Sequence, residues 1–225
     1  MRQGYCASIL VRRNPLYSQT GELEVFLDTI FKHTHLGYFL EIGAWDGMNL
    51  SQTLYLEQKG WNGICVEPFP HNFSNRMCML CNKAISADGK DREFVWVTTD
   101  KDNGGDVSYL SGFKDTLGTH WTFIQEHCNY TEATIETITM ERLYKEYNLP
   151  LYIDFLSVDT EGAEVEIFSN INLDHYRYGV ISFEHNLDSN VKGFVGRLLE
   201  THGYQFVRSM GLGGIEDIYV SEGLL

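Results

Sequence analysis

The sequence predicts an α/β fold, a mostly parallel sheet covered by helices on both faces. Three observations predict it. Short apolar runs such as "YFLEI" and "IDFLSV" alternate with segments of helical period. These runs end in turns that carry a carboxylate or a glycine. Near the C-terminus, "YQFVRSM" and "IEDIYVS" are joined by little more than "GLGG". Two strands that close must pair antiparallel, so the sheet is expected to end in an antiparallel hairpin.

The elements follow in order. Leu23, Phe26, Leu27, Ile30 and Phe31 share one stripe, which predicts a helix over 21–33. Tyr38 to Ile42 reads as a buried strand. "NLSQTLYLEQKG" reads as a helix with Asn49 or Ser51 as N-cap and Gly60 at its end. "NGICVEP" is a strand stopped by Pro68. "HNFSNRMCML" reads as a short helix, "CNKAIS" as a third strand and "REFVWVTT" as a further β segment. Residues 100–130 are rich in glycine and aromatics and lack periodicity. Alternation then resumes. "TIETI" is a strand, "TMERLYKEYN" a helix capped by Thr139, "IDFLSVD" a strand and "GAEVEIFSNI" a helix. "YGVISFEHN" is a strand, and "VKGFVGRLLETHG" a helix closed by Gly203.

The bulk composition narrows the function. A chain of 225 residues with 43% apolar content can form one domain over 1–225. Within it, 1–36 reads as an N-terminal helical extension and 100–130 as an insertion. The net charge is −14 and only 17 residues are Lys or Arg, which argues against nucleic acid and anionic membranes. There is no run of roughly 18 apolar residues to span a membrane, and no secretory signal pattern opens the chain. The expectation is a soluble, cytoplasmic protein. Five cysteines at irregular spacing suit a reducing compartment better than a disulfide framework. Cys78-x-x-Cys81 stands without the second pair that a structural zinc needs.

In doubly wound sheets, ligands sit at the carboxyl ends of the strands. Here those ends are acidic. The first is Glu41-Ile-Gly43-Ala44-Trp45-Asp46-Gly47, and the second ends at Glu67. Later strands end at Asp159-Thr-Glu161-Gly162 and Glu184-His185-Asn186. A glycine turn before a helix, with a carboxylate after the next strand to hold a ribose diol, suggests an adenosine-containing cofactor. The dinucleotide fingerprint would need glycine at 45, where tryptophan stands, and Glu41 and Asp46 would repel a pyrophosphate. S-adenosylmethionine is cationic and carries no phosphate, so it fits better. The bland alternative is an acidic loop beside a solvated strand end.

The blocks "YFLEIGAWDGMNLSQTLYLEQKGWNGICVEPFP", "IDFLSVDTEGAEVEIF" and "VISFEHN", with "YSQTGELEVFL" before them, resemble the FkbM family of S-adenosylmethionine-dependent methyltransferases. The resemblance runs from about residue 17 to 220, except over 100–130. It implies a Rossmann-like class I methyltransferase fold with a seven-stranded sheet. It also implies methyl transfer to oxygen, often of a sugar or natural product. Carried over, it places Glu41, Gly43, Ala44 and Asp46 around the methionine and ribose, with Glu67 on the ribose hydroxyls. Asn82 to Ala84 would edge the adenine. Gln19 and Glu22 would close the site from the first helix, or simply form a helix first turn. Trp45 stands where the family commonly has a polar residue.

Methyl transfer to an alcohol needs alignment and either a general base or a metal that acidifies the hydroxyl. Asp159, Glu184 and Asn186 loosely resemble the ligands of a class of metal-dependent O-methyltransferases, and such oxygen ligands suit Mg²⁺ or Mn²⁺. Asp159, Glu184 and His185 are the candidate catalytic groups, with His185 as base or orienter. Alternatively, Asp159 and Glu161 cap a helix and touch the methionine ammonium, and His185 is a structural histidine. The segment 100–130 reads as a lid. Tyr109, Phe113, Trp121, Phe123 and Tyr130 offer faces for a sugar, or form a local hydrophobic core. Asp102, Asn103, Asp106 and Ser108 offer hydrogen bonds to hydroxyls. Glu161 and His185 are further acceptor-site candidates. Two other classes remain open, a nicotinamide-dependent oxidoreductase and a non-catalytic Rossmann-like binding module.

Overall fold

The computed structural model describes residues 18, 21–70 and 73–224; Gln19 lies outside them. In chain order the elements are α1 (Glu22–Ile30), β1 (Tyr38–Ile42), α2 (Leu54–Gln58), β2 (Asn62–Val66), β3 (Met79–Cys81), β4 (Ala84–Ile85), β5 (Arg92–Asp100) and β6 (Gly112–Phe113). Then follow α3 (Thr119–His127), β7 (Cys128–Ile135), β8 (Thr137–Ile138), α4 (Met140–Glu146), β9 (Tyr152–Val158), α5 (Glu164–Asn170), β10 (Arg177–Glu184), α6 (Ser189–Thr201), β11 (Tyr204–Met210) and β12 (Glu216–Ser221).

Seven strands form the main sheet in the order β11-β12-β10-β9-β1-β2-β3. All neighbours pair parallel except β12, which runs antiparallel between β10 and β11. This is the Rossmann-like methyltransferase architecture that the family resemblance implies. The winding reverses between β1 and β9, where Ile42 stands opposite Val158. A crevice must open beyond that pair, because the chain leaves the two strand ends in opposite directions.

Period-2 alternation gives the sheet two cores. Leu40, Ile42, Ile64, Val66, Leu156 and Val158 face one way, against Leu143, Ile167, Phe168, Val195 and Leu199 of α4, α5 and α6. Phe39, Cys65, Phe155 and Val180 face the other, against Leu23 and Leu27 of α1 and Leu56 of α2. Burying a side chain such as Leu27 or Phe155 fully contributes roughly 1.5–3 kcal/mol, far more than the propensity of so short a helix. Thus α1 is held by its apolar stripe. Thr139 caps α4 by accepting from the Arg142 N–H, as expected, and Asp188 caps α6 through the Asn190 N–H.

Several expected elements differ. Of the helix expected over 71–80, the described residues 73–80 hold only a 3₁₀ turn at Phe73–Asn75, and 71–72 lie outside the described residues. The apolar residues after it enter β3, which therefore starts earlier than "CNKAIS" suggests, and Ala84–Ile85 pairs separately with β8. The helix after β1 begins only at Leu54; Ser51 Oγ accepts from the Leu54 N–H at 3.1 Å. The segment 100–130 is also more ordered than its composition implies. With β5, it builds a three-stranded antiparallel sheet, β6-β5-β7, carrying α3. Val95, Val97, Leu117, Ile124 and Cys128 form its own small core. Among the described residues no helix is long and apolar enough to cross a membrane.

Candidate active site

The crevice at the β1/β9 reversal is a cavity of about 240 Å³. Its floor is the turn after β1. There the Gly43 N–H donates to Val66 O and the Asp159 N–H to Ile42 O, so three strand ends are tied together. Gly43 has φ +84°, and a Cβ on it would lie 1.6 Å from the Asp159 carbonyl oxygen. The close approach that requires glycine here is therefore that of β9's own backbone.

Glu41 is buried, and the interior supplies its partners. Its carboxylate accepts from Ser51 Oγ, the Gln52 N–H (2.8 Å) and Thr53 Oγ1 (2.6 Å). Arg76, itself buried, stands 3.5 Å away. Arg76 also pairs with Glu57 at 3.1 Å, and donates to the Gly47 carbonyl at 2.7 Å and to Thr53 Oγ1. Asp46 likewise folds its own turn. Its two oxygens accept from the Met48 and Asn49 N–H groups and from the Asn49 amide. These two carboxylates shape the turn, while the cavity is lined by Gly43, Ala44 and Trp45.

Glu67, after β2, lines the cavity. Its carboxylate accepts from the Trp45 N–H at 2.9 Å and the Phe69 N–H at 2.9 Å. Burial pushes its pKa up to about 7, against the lowering pull of those N–H groups. One oxygen is thus held by each neighbouring turn, which fixes the carboxylate toward the cavity.

At the far wall, one oxygen each of Asp159, Glu161 and Glu184 lies within 4.8 Å of the others. Burial, then Glu184 and Glu161, drive Asp159 well above the usual carboxylate range. Burial and Glu161 push Glu184 up to about 7. Like charges this close cannot all ionise, so the group holds a proton or accepts a cation. Glu161 takes the left-handed region (φ 55°), as do Trp45 (φ 46°) and Leu50 (φ 58°) on the cavity wall. Backbone strain of this kind costs about 1–3 kcal/mol per residue and concentrates at functional sites.

The cap closes the cavity. Tyr109, Ser108, Ser111, Trp96, Phe94 and Phe113 line it, and Phe69 stacks on Trp96 with centroids 5.0 Å apart. Trp45 Nε1–H donates to Ser108 Oγ at 2.8 Å, and its ring meets Tyr109 edge-on. The tryptophan therefore joins the floor of the site to the cap. His120 of α3 reaches Glu161 at 3.2 Å, and that contact raises its pKa. Gly162 completes the docking: at φ +117°, a Cβ there would fall 2.3 Å from the Thr116 carbonyl.

The structure moves some candidates away from the cavity lining. His185, expected as base or orienter, is buried and does not line the cavity. Glu184, the last residue of β10, lines the cavity, while His185 just after it turns to Asp217, with Nε2 3.3 Å from its Oδ1. Burial lowers its pKa, against the opposite pull of Asp217. Asn186 is exposed and donates its amide to Glu184 at 2.9 Å, so Glu161 stands where Asn186 was expected in the oxygen cluster. Glu22 is exposed on α1. Asn82 is exposed too; in the orientation that satisfies its neighbours, its amide donates to the carbonyls of Glu67 and Pro68, while Ala84 lines the cavity. Trp121 packs on Tyr130 in the cap's core, 5.2 Å between centroids. The sequence reading missed Phe69, Trp96 and His120. The alternation of Phe94 and Trp96 in "REFVWVTT" was the available signal for one of them.

Comparison with known proteins gives a family match for most of the chain. Residues 41–206 match the model of the methyltransferase FkbM domain. No curated protein matches the sequence. Among solved structures, the chain is similar to precorrin-6y C5,15-methyltransferase from Geobacter metallireducens, at 15% identity and a TM-score of 0.41, over 91% of this chain and 89% of that chain. The family match spans the β1 turn, Glu67, the cap and the Asp159–Glu161–Glu184 group, which is most of the chain. The chain belongs to the FkbM methyltransferase family.

Proposed function

We propose that this methyltransferase moves the methyl group of S-adenosylmethionine to a hydroxyl of a sugar in a glycan or glycoside. The observation that carries this reading is the charge of the cavity. Glu67, Asp159, Glu161 and Glu184 line it beside Glu41, whose charge Arg76 offsets, and no described lysine, arginine or histidine does. A phosphate-bearing cofactor or an anionic acceptor would be repelled there, whereas a sulfonium cofactor and a neutral polyol are tolerated. Glu67 takes the ribose diol, Ala84, Ile85 and Phe69 border the adenine, and Gly43 and Ala44 leave room for the methionine portion. The acceptor lies under the cap against Tyr109, near the carboxylate group.

The acceptor oxygen attacks the methyl carbon in line with the departing sulfur, and the C–S bonding pair returns to sulfur. The proton leaves the oxygen for Glu184, whose pKa of about 7 suits a base at neutral pH. Burial and Glu161 raise Glu184 to that value while a hydrogen bond with Asp159 pulls it down, so Asp159 and Glu161 act as positioning residues for the base. The same three carboxylates are a hard-oxygen donor set that fits Mg²⁺ or Mn²⁺. A divalent ion bound there would supply acidification of the hydroxyl in place of the base.

The test is methyl transfer from labelled S-adenosylmethionine to paired neutral and anionic sugar acceptors, with Mg²⁺ and with EDTA, alongside calorimetry with S-adenosylhomocysteine. Transfer to neutral hydroxyls is expected. No binding of S-adenosylhomocysteine, or transfer only to anionic acceptors, overturns the reading. Activity unchanged by EDTA removes the ion and leaves Glu184 as the base.

A further inference from the structure

We propose that Cys65 and Cys78 are a redox modification site, joined by peroxide into a reversible disulfide that weakens cofactor binding. The two sulfurs lie 3.6 Å apart, and both residues face the same side of the sheet, in the core under α1 and α2. A disulfide requires about 2.0 Å, so the sulfurs need close only a short gap. The other described cysteines are placed differently: Cys81 lies in the opposite core and Cys128 inside the cap.

The pair adjoins the hub that shapes the site. Cys65 stands opposite Glu41 in the β1–β2 register, and its Sγ lies 3.4 Å from Glu41 Oε2. Two residues beyond Cys65 is Glu67. Cys78 follows Arg76 closely, and both cysteines lie within electrostatic reach of the Arg76 guanidinium. Forming the bond takes the Cys65 thiol from Glu41 and draws the Arg76–Cys78 segment toward β2.

The two thiols divide the chemistry. Cys78 is half-buried beside Met77, which is 88% exposed, so an oxidant reaches it first. Its thiolate attacks peroxide, the O–O bond breaks, and Cys78 sulfenic acid and one water result. Burial raises the Cys65 thiol, so Cys65 does not react with peroxide first; its place 3.6 Å from the Cys78 sulfur gives it the second step. Cys65 sulfur then attacks Cys78 sulfur, the S–O bond breaks, and hydroxide leaves with the thiol proton as water. In sum, two thiols and one peroxide give one disulfide and two waters. A thiol reductant reverses it.

The effect on binding rests on the cofactor reading above; the disulfide does not. The test treats the whole chain with hydrogen peroxide, alkylates free thiols and maps tryptic peptides. Cys65 falls in peptide 60–76, and Cys78 and Cys81 both fall in 77–83. A linked 60–76/77–83 pair that dithiothreitol releases is expected, retained in Cys81→Ser and absent in Cys78→Ser. Calorimetry should show S-adenosylhomocysteine binding about five- to tenfold weaker after oxidation, as for loss of one ordinary hydrogen bond. Binding should recover on reduction and resist peroxide in Cys78→Ser. The proposal is overturned if no such pair forms, if only Met77 or Met79 gains oxygen, if the link persists in Cys78→Ser, or if oxidised affinity stays within about twofold. If the reduced chain binds no S-adenosylhomocysteine, the cofactor reading and the binding effect fall together, and the peptide map still judges the disulfide.

Discussion

Replacing Arg76 with methionine tests the reason the β1 turn is acidic. The Arg76 side chain is 1% exposed and serves two carboxylates, Glu41 at 3.5 Å and Glu57 at 3.1 Å, as well as the Gly47 carbonyl. Methionine fills much of the volume but leaves both carboxylates without their counter-charge. Breaking a buried pair in this way costs about 3–5 kcal/mol. The lower end applies, because Glu41 keeps donors from Ser51, Gln52 and Thr53, and Glu57 keeps the Met77 and Cys78 N–H groups. In a domain of this size, about 3 kcal/mol lowers Tm by roughly 6–12 °C. Urea and thermal unfolding measure it.

A second arm isolates the cause. In Arg76→Met, adding Glu57→Gln removes one unpaired charge and should recover about 1 kcal/mol or more, so the two changes are strongly non-additive. A pH series adds a signature. Burial pushes Glu57 up, but the Met77 N–H, the Arg76 charge and hydrogen bonds from the Cys78 and Arg76 side chains outweigh it, so its folded pKa is lowered from 4.5. Such a group adds stability above its unfolded pKa and loses it as pH falls through the folded value. Arg76→Met should flatten that acid limb. A loss below about 1 kcal/mol, or a Glu57→Gln cost that simply adds, would falsify the hub.

Three further outcomes are expected. Glu67→Gln should weaken S-adenosylhomocysteine binding by about 10- to 100-fold, the loss of charged hydrogen bonds to a diol; calorimetry showing an unchanged Kd removes Glu67 from the ribose. Glu216 is buried, which pushes its pKa up to about 7 from 4.5. A raised carboxylate adds stability below its unfolded pKa that is lost as pH rises through the folded one. Glu216→Gln should therefore gain on the parent by up to about 3 kcal/mol between about pH 5 and pH 8, and parallel pH–stability curves would contradict this. Trp45→Phe removes the bond to Ser108 and should cost about 1 kcal/mol and speed proteolysis of the cap; an unchanged cleavage rate would show that this bond does not hold the cap down.

The sequence by itself determined the alternation of strands and helices, the C-terminal hairpin, the caps at Thr139 and Gly203, and the acidic strand ends. These are local facts, carried by period-2 and period-3.6 patterns and by residues next to one another in the chain. It also marked Glu67, Asp159, Glu161 and Glu184, because a strand end is where a doubly wound sheet places its chemistry. Only the tertiary structure decided which carboxylates are free to meet a ligand. Glu41 and Asp46 stand in the same acidic turn, yet one is neutralised by Arg76 and the other is spent on its own loop. The difference is made by a side chain distant in sequence and by hydrogen bonds that no spacing encodes. Likewise, Glu184 and His185 are adjacent in sequence, but at the end of β10 Glu184 lines the cavity while His185 turns to Asp217. Trp45 found its role only when the cap brought Ser108 and Tyr109 to it, and Gly43 only when β9 came beside β1. Burial and charge pairing are properties of three-dimensional neighbourhoods, so they become readable once the sheet is closed and the cap is docked.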